Sequence, residues 1–357
     1  MLFSFWGCIS SSLDDLDTWT WVSIDPHVHS SLGSNDTDGL GTPENIVTAL
    51  DKFDLDVVFL TDHSNSLGSM DCVDVEDCPN QGPELTTGDW PENVLLAAEI
   101  SPRAEEDDLL TPTGHIGCLP KTRGHWNTDV FIDRPFGTIS GASAIEQCHD
   151  AGGWAILNHP FGPAPWVAFD QSSLAFDAVE VFNGGAGFDP SDEQALDFWE
   201  EGIMNGQRWV PIGASDCHRW MIEPPGTTLD PALGWPRTNV GKKGEESLEE
   251  SLFAGRVILF DPSTQLDYWM EGESGRAGPS EHIQGPALLH VHAHTTEKDL
   301  WLSVKNDSGV LLHEEELRDT VDVQLKVEKG AYWVRILPKE AALNVRGVAL
   351  GMPIWVE

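Results

Sequence analysis

Hydrophobic residues in the first two thirds of the chain fall into short runs, each closed by polar residues. The runs lie at 19–25, 55–62, 94–100, 115–119, 154–159, 177–183 and 209–216. Several are continuous and do not alternate with polar residues, as expected of strands buried on both faces. The pattern therefore predicts seven buried β-strands.

Helical patterns separate some of these runs. Thr42 and Pro43 are suited to the N-cap and first position of a helix over 43–53. Similar helical spacing recurs at 141–151, 192–207 and 245–255. Strands that alternate with helices are typical of a mostly parallel α/β fold, and seven strands favour a distorted barrel.

The pattern changes after residue 262, where short alternating segments are separated by turn residues. Such segments predict a small antiparallel β domain. We therefore expect a leader or disordered N-terminus over 1–20, a barrel over 21–262, a linker or long loop over 263–286 and the β domain over 287–357.

The charge balance narrows the classes of function. Asp and Glu number 59 against 20 Lys and Arg, which gives a net charge of −39. Such a surface repels phosphate backbones, so a nucleic-acid-binding role is excluded. A small anionic substrate remains possible, because bound cations reverse the potential locally. The acidity also favours an extracytoplasmic setting, either periplasmic or secreted.

Cysteines leave two questions open. Residues 2–9 are mostly apolar and contain Gly7 and Cys8, which resembles the end of a lipoprotein signal with a lipid and membrane attachment on Cys8. An ordinary disordered N-terminus is the alternative. Cys72 and Cys78 flank an acidic loop and form either a local disulfide or two free thiols.

Metal-capable side chains collect at the ends of the predicted strands, where active sites of α/β folds form. Those at the end of a run or just after it are His27, His29, His63, Glu99, His159, Asp216 and His218. His115 instead starts its run, and an antiparallel fourth strand would bring it to the same rim. Buried imidazoles and carboxylates are costly unless paired or metal-bound, so their convergence predicts a metal centre.

The motifs resemble the polymerase and histidinol phosphatase (PHP) superfamily of metal-dependent hydrolases. The matching pieces, in family order over about 23–220, are "DPHVHS", "DGLGTPENIV", "DVVFLTDHS", "AAEIS", "GHIGCLP", "GWAILNHPFG", "VEVFNG" and "IGASDCH". "GHIGCLP", "VEVFNG" and "SLFAGRVILF" look closest to the carbaryl-hydrolase-like branch (CehA/McbA), which often carries an extra β domain and is often exported. The resemblance implies a distorted (β/α)7 barrel, here followed by the small antiparallel β-sandwich-like domain.

The resemblance also implies two or three divalent ions, either zinc, manganese or iron. The first ion would be held by His27, His29, Glu99 and Asp216. The second would be held by Glu99, His115 and His159. The third would be held by His63, His218 and Asp38, with Asp36 as the rival acid.

A hydroxide that bridges two ions would then attack a phosphomonoester or phosphodiester. Glu99, Asp216, His218 and Arg219 are the catalytic candidates, with Arg219 expected to reach a substrate oxygen. A carbamate, ester or amide substrate is the alternative on the same site. A non-catalytic secreted metal-binding protein is the alternative from another class.

Several residues near the predicted ligands are expected to have supporting roles. Asp62 is expected to orient a ligand, and Glu180 and Asn183 are candidates to line the pocket. Cys217 is expected to be a small core residue. The segment 120–137 is basic for this chain and is either an anion-binding loop or a solvated one.

A second HVH motif lies in the β domain. His290, His292 and His294 recur at every second residue and so share one face of a strand. No carboxylate cluster accompanies them in the sequence. A solvated strand face is therefore favoured over a metal site.

Overall fold

The computed structural model describes residues 19–31, 33–34, 36–63, 91–102, 114–122, 140–162, 166, 170–185, 187–224, 226–227, 230–340 and 343–357. Among these residues, no helix is both long enough and apolar enough to cross a membrane.

The described residues of the first part of the chain form eight strands and three α-helices. The strands are β1 (Trp19–Val28), β2 (Val57–Leu60), β3 (Val94–Leu96), β4 (Ala98–Ile100), β5 (His115–Pro120), β6 (Gly153–Asn158), β7 (Ala178–Asn183) and β8 (Val210–Ala214). The helices are α1 (Pro43–Phe53), α2 (Gly141–Asp150) and α3 (Pro190–Met204).

The remaining chain is mostly strand. Its elements are β9 (Arg237–Lys243), helix α4 (Leu248–Phe253), β10 (Val257–Phe260), β11 (Thr264–Gly272), β12 (Gly275–Ala277), β13 (His282–Ile283), β14 (Ala287–Thr295), β15 (Leu300–Asn306), β16 (Leu311–Leu317), β17 (Thr320–Val327), β18 (Gly330–Pro338), β19 (Ala349–Gly351) and β20 (Ile354–Val356).

Two sheets position the rim on which the histidines lie. β4 to β8 form a five-stranded sheet in chain order, while β1, β2 and β3 belong to an eleven-stranded sheet. β5 is antiparallel to β4 and to β6, which confirms the orientation expected from His115. Isolated bridges join the two sheets at Val28–Cys217 and at His63–Glu99. The sevenfold strand–helix repeat of the barrel stays a prediction.

The stretch 263–286, expected to be a linker or long loop, is instead part of the sheet structure. It contains β11, β12 and β13, and β11 pairs with β14 along its whole length. The linker was predicted because Gly and Ser are frequent after Gly272. In the structure these residues form the tight turn between β11 and β12.

The β strands of the last part form a sandwich that is continuous with the first part. β12, β11, β14 and β17 make a four-stranded sheet, whereas β18, β19 and β20 lie in the same large sheet as β1. Leu289 of β14 and Val334 of β18 meet in the core between these two sheets. On its other face β18 presents Trp333, which packs edge-on against Trp199 of α3.

Cysteine pairing differs from the expectation. Cys118 of β5 and Cys148 of α2 form a disulfide, a pairing that was not predicted from the sequence. Gly153 faces both sulfur atoms, since a Cβ there would lie 2.5 Å from Cys118 Sγ. Cys217 is a buried free thiol in a hydrophobic cluster, as expected. Cys8, Cys72 and Cys78 lie outside the described residues.

Candidate metal centre

The carboxyl end of β1 and the segment after β8 are joined by backbone hydrogen bonds. Asp216 N donates to His27 O at 2.9 Å, and His29 N donates to Cys217 O at 3.0 Å. The buried Asp25 carboxylate also accepts from Ser215 N at 3.1 Å. These contacts bring the "DPHVHS" and "SDCH" motifs side by side.

Four potential ligand atoms consequently converge. His27 Nε2 lies 3.2 Å from His29 Nε2, 3.1 Å from Glu99 Oε1 and 3.3 Å from Asp216 Oδ1. His29 Nε2 lies 3.2 Å from the same Asp216 oxygen. Bonds of about 2.0–2.1 Å at tetrahedral angles place the ligand atoms of a zinc-sized ion about 3.3 Å apart. The residues present therefore fit a metal ion.

Hydrogen bonds on the far side of each imidazole fix its tautomer. His27 Nδ1 lies 2.9 Å from Glu180 Oε1, and a carboxylate can only accept, so Nδ1 carries the proton. Ser34 Oγ donates to Asp62 Oδ1 at 2.8 Å, so it accepts from His29 Nδ1 at 3.1 Å. Both Nε2 atoms thus direct a lone pair into the cluster.

Glu99 is the centre of the cluster. Its Oε1 lies 3.0 Å from His115 Nδ1 and 3.3 Å from His159 Nε2, and those two nitrogens are 3.3 Å apart. Its Oε2 lies 3.0 Å from His63 Nδ1. One buried carboxylate is therefore shared by the predicted first and second ligand groups, as a bridging ligand would be.

The third predicted group is assembled with a different acid. Asp36 Oδ2 lies 3.3 Å from His63 Nε2, and Asp36 Oδ1 lies 3.2 Å from His218 Nδ1. The expectation of Asp38 is wrong on geometry, because that residue is exposed and its Oδ1 caps Leu40 N at 2.8 Å. Asp36 takes its place.

The charges of the cluster are mutually dependent. Burial disfavours the Glu99 carboxylate, but His115 and His27 hold the pKa of Glu99 well below its usual range. Burial, with His218 and His63, lowers the pKa of His29 to about 3. Burial opposes the charged form of His63 too, yet Asp36 and Glu99 raise its pKa to about 10. The charge of each group therefore depends on its neighbours, and a bound divalent ion would favour the neutral imidazoles.

Access and strain differ across the cluster. The side chains of Asp216, His218 and Asp36 are 23%, 26% and 30% exposed, whereas Glu99 is 1% exposed. The cluster is therefore open to solvent on the side of these three residues. His159 and Asp216 have φ angles of 25° and 53°, a strained region that is enriched at functional sites.

Some predicted residues lie elsewhere. Arg219, expected to reach a substrate oxygen, is exposed and its Nε pairs with Asp230 Oδ1 at 2.7 Å, so that role stays a prediction. Asn183 Nδ2 donates to Glu180 Oε2 at 3.0 Å, which connects Asn183 to the cluster through that carboxylate. Within the basic segment, Lys121 lies over the ring of Trp154, and residues 123–137 lie outside the described residues.

Sequence reasoning missed Asn158 as a site residue. Its Nδ2 donates to Glu99 Oε1 at 3.0 Å. A Cβ on Gly117 would come within 2.6 Å of Asn158 Oδ1, so the glycine of "GHIGCLP" makes room for this amide. The position of Asn158, next to His159 at the end of a strand, was the available signal.

The second HVH motif does lie on a partly solvated strand face. His290, His292 and His294 are each half-buried on β14. Neighbouring strands bring acids that the sequence did not place nearby, and His292 Nδ1 lies 2.7 Å from Asp322 Oδ1. The metal-capable groups among the described residues do not include these histidines.

Comparisons with known proteins give only distant similarities. No family model and no curated protein matches the chain. A two-domain protein from Bacteroides vulgatus, described as containing a predicted PHP-like metal-dependent phosphoesterase, is 16% identical with a TM-score of 0.45. That similarity covers 95% of this chain and 96% of the other.

A second solved structure, from Bifidobacterium adolescentis, is described as a candidate metal-dependent phosphoesterase. It is 16% identical with a TM-score of 0.37, over 64% of this chain and 95% of the other. Because both similarities are remote, the assignment of function rests on the residues of the site.

Proposed function

We propose that the chain is a PHP-type metal-dependent hydrolase with a phosphate ester as its favoured substrate. The observation that carries the proposal is the convergence of His27 Nε2, His29 Nε2 and Asp216 Oδ1 within 3.3 Å of one another. Electron-pair donors at this spacing repel one another unless a proton or a metal cation lies among them, and a metal cation can be shared by all three donors at once.

His27, His29, Glu99 and Asp216 would hold one ion. Glu99 with His115 and His159 would hold a second, and His63, His218 and Asp36 a third. Divalent ions at these positions, whether zinc, manganese or iron, supply Lewis acidity and activate water at neutral pH.

Charge favours a phosphomonoester or phosphodiester. Glu99, Asp216 and Asp36 carry three negative charges, which two divalent ions already exceed. The site would then be locally positive in a chain of net charge −39. Asp216, His218 and Asp36, on the exposed side, would face the substrate.

An oxidising compartment is also proposed. The Cys118–Cys148 disulfide supports a periplasmic or secreted location, because such bonds persist outside the reducing cytosol. The strongly acidic composition is consistent with the same location.

Metal content and hydrolysis test the proposal together. Mass spectrometry of the purified protein should find at least two divalent ions per chain. p-Nitrophenyl phosphate or its diester should be cleaved, and His159→Ala should reduce the rate by at least about 100-fold. Asp36→Asn should lower metal content, whereas the matched Asp38→Asn should not.

Three results would contradict this proposal. A protein that takes up no divalent ions refutes the metal site. Cleavage of 1-naphthyl methylcarbamate but of neither phosphate ester replaces the substrate with a carbonyl compound. Full metal uptake with no hydrolysis of any of the three leaves a metal-binding protein and no enzyme.

A further inference from the structure

A groove lies where the first residues of β1 meet the four-stranded sheet, at the opposite end of that strand from His27. One cavity of about 380 Å³ is lined by Trp19, Trp21, Asp267, Trp269 and His292 among others. A neighbouring cavity of about 420 Å³ shares Trp21 and Asp267 and adds Asp54, Asp56 and Asn239. We call the joined cavities the Trp21 groove.

The indoles of the groove are held in place by the sheets. Val22 and Ile24 of β1 pack into the core, so Trp19 and Trp21 project from the opposite face. A Cβ on Gly241 of β9 would come within 2.4 Å of the Trp19 ring, so this glycine provides the space. The side chain of Trp21 is 38% exposed, which is a large exposed fraction for a tryptophan.

Polar atoms around the groove lack partners. Trp19 Nε1, Trp269 Nε1 and Asn239 Oδ1 are buried without a hydrogen bond among the described residues, and Trp19 is only 9% exposed. A buried polar atom left unpaired costs about 1–3 kcal/mol, so such atoms call for an explanation. An occupant that both donates and accepts hydrogen bonds would supply the missing partners.

The acids of the groove restrict the charge of that occupant. Asp54, Asp56 and Asp267 line it and would repel an anion. Asp267 lies opposite His292 on β14, which in turn lies opposite Asp322 on β17. This row continues the groove across the outer face of the sheet and includes the second HVH motif.

We propose that the Trp21 groove binds a neutral oligosaccharide chain. Pyranose rings present C–H faces, which carry partial positive charge and suit the negative faces of indole rings. Their hydroxyl groups can accept from the indole N–H groups and donate to Asp267 and Asn239 Oδ1. A purely apolar occupant would leave those polar atoms unpaired.

Native affinity electrophoresis of the full chain tests this proposal. Gels that contain laminarin, dextran, galactomannan or anionic polygalacturonate are compared with plain gels. At least one neutral polysaccharide should retard the protein. Trp21→Ala and Trp269→Ala should each weaken that binding by roughly tenfold or more. Trp301→Ala, at a tryptophan lying under Lys339 in another cleft, is the matched control.

The proposal would be overturned if no neutral polysaccharide retards the protein, or if polygalacturonate alone does so. Unchanged retardation of both groove variants would do so as well. Circular dichroism checks that each variant folds. If a tryptophan variant does not fold, Asp267→Asn, at an exposed position of the groove, takes its place in the test. His159→Ala should bind the polysaccharide normally, because the groove does not depend on the metal site.

Discussion

Glu180 contacts a candidate metal ligand, His27, on the side that faces away from the cluster. Its Oε1 accepts from His27 Nδ1, and its Oε2 accepts from His159 N at 2.6 Å and from Asn183 Nδ2 at 3.0 Å. Both oxygens are therefore occupied by donors, and the residue is 1% exposed. Carboxylates in this position orient metal-bound histidines and raise their basicity.

Glu180→Gln should accordingly impair metal binding. The amide oxygen can satisfy the two donors at the Oε2 position, which leaves the NH2 group facing His27 Nδ1. Nδ1 would then lose its proton to Nε2, the atom that faces the cluster. We expect zinc affinity to fall by about 10–100-fold in chelator competition.

Nuclear magnetic resonance of the His27 ring should report the same exchange of tautomer. Glu223→Gln, at an exposed residue paired with Lys52, is the control and should bind zinc like the wild type. Wild-type zinc affinity in Glu180→Gln would show that the carboxylate does not set the tautomer.

At single residues, the sequence could predict which histidines and acids converge, but not the path of the loop that carries Asp36 and Asp38. Spacing alone could not decide between Asp36 and Asp38, because the turn that aims Asp36 at His63 depends on tertiary contacts. The pairing of Arg219 with Asp230 could not be predicted for the same reason, since it depends on the path of the chain between them.

At the level of elements, the sequence predicted helices and strands correctly where residues within the element itself determine its start and end. Helix α1 spans 43–53 as predicted, because Thr42 and Pro43 fix its start and Asp54 ends it in the left-handed region. The run 94–100 instead splits into β3 and β4, which pair in different sheets. Hydrophobic periodicity contains no information about such a change of partner.

Asp261, at the end of β10, should make stability depend on pH. Burial raises the pKa of this carboxyl to about 7 from an ordinary 3.8, although Gly347 N donates to it. Between those pH values the folded chain holds a proton that the unfolded chain releases, so stability falls as pH rises. This proton-linked stability is fully present below about pH 4 and is lost by about pH 7.

Asp261→Asn cannot ionise and should escape that loss. Its stability relative to the wild type should rise between about pH 4 and pH 7, by roughly 4 kcal/mol at most. Urea denaturation across this range measures the difference, with the exposed Asp299→Asn as control. A constant difference at every pH would show that Asp261 does not titrate in this window.

At the scale of the whole molecule, the first part and the β sandwich share one sheet and one buried ionic cluster. Glu200 of α3 is 2% exposed, and its Oε1 accepts from Trp333 Nε1 at 2.9 Å and Arg335 Nη1 at 3.0 Å. Lys305 of β15 pairs with its other oxygen. The sequence marked a boundary near 262 but could not show that strands from both sides would pair.

Glu200→Gln should therefore destabilise the whole chain. Removal of one partner of a buried ion pair costs about 3–5 kcal/mol, because the remaining charges stay desolvated. Lys305 and Arg335 have side chains 15% and 22% exposed, so they would lose their counter-charge in a poorly solvated position. Guanidinium denaturation should show a lower midpoint for the loss of all tertiary signals together.

Glu201→Gln is the matched control, since it makes the same chemical change one residue along at an exposed position of the same helix. Its midpoint should equal that of the wild type. A Glu200→Gln variant in which the sandwich unfolds at the wild-type midpoint, separately from the first part, would show that the two parts are stable independently. We expect both parts to unfold together, because they share the sheet that runs from β3 to β13. Unfolding either part would expose a strand edge and core residues of the other.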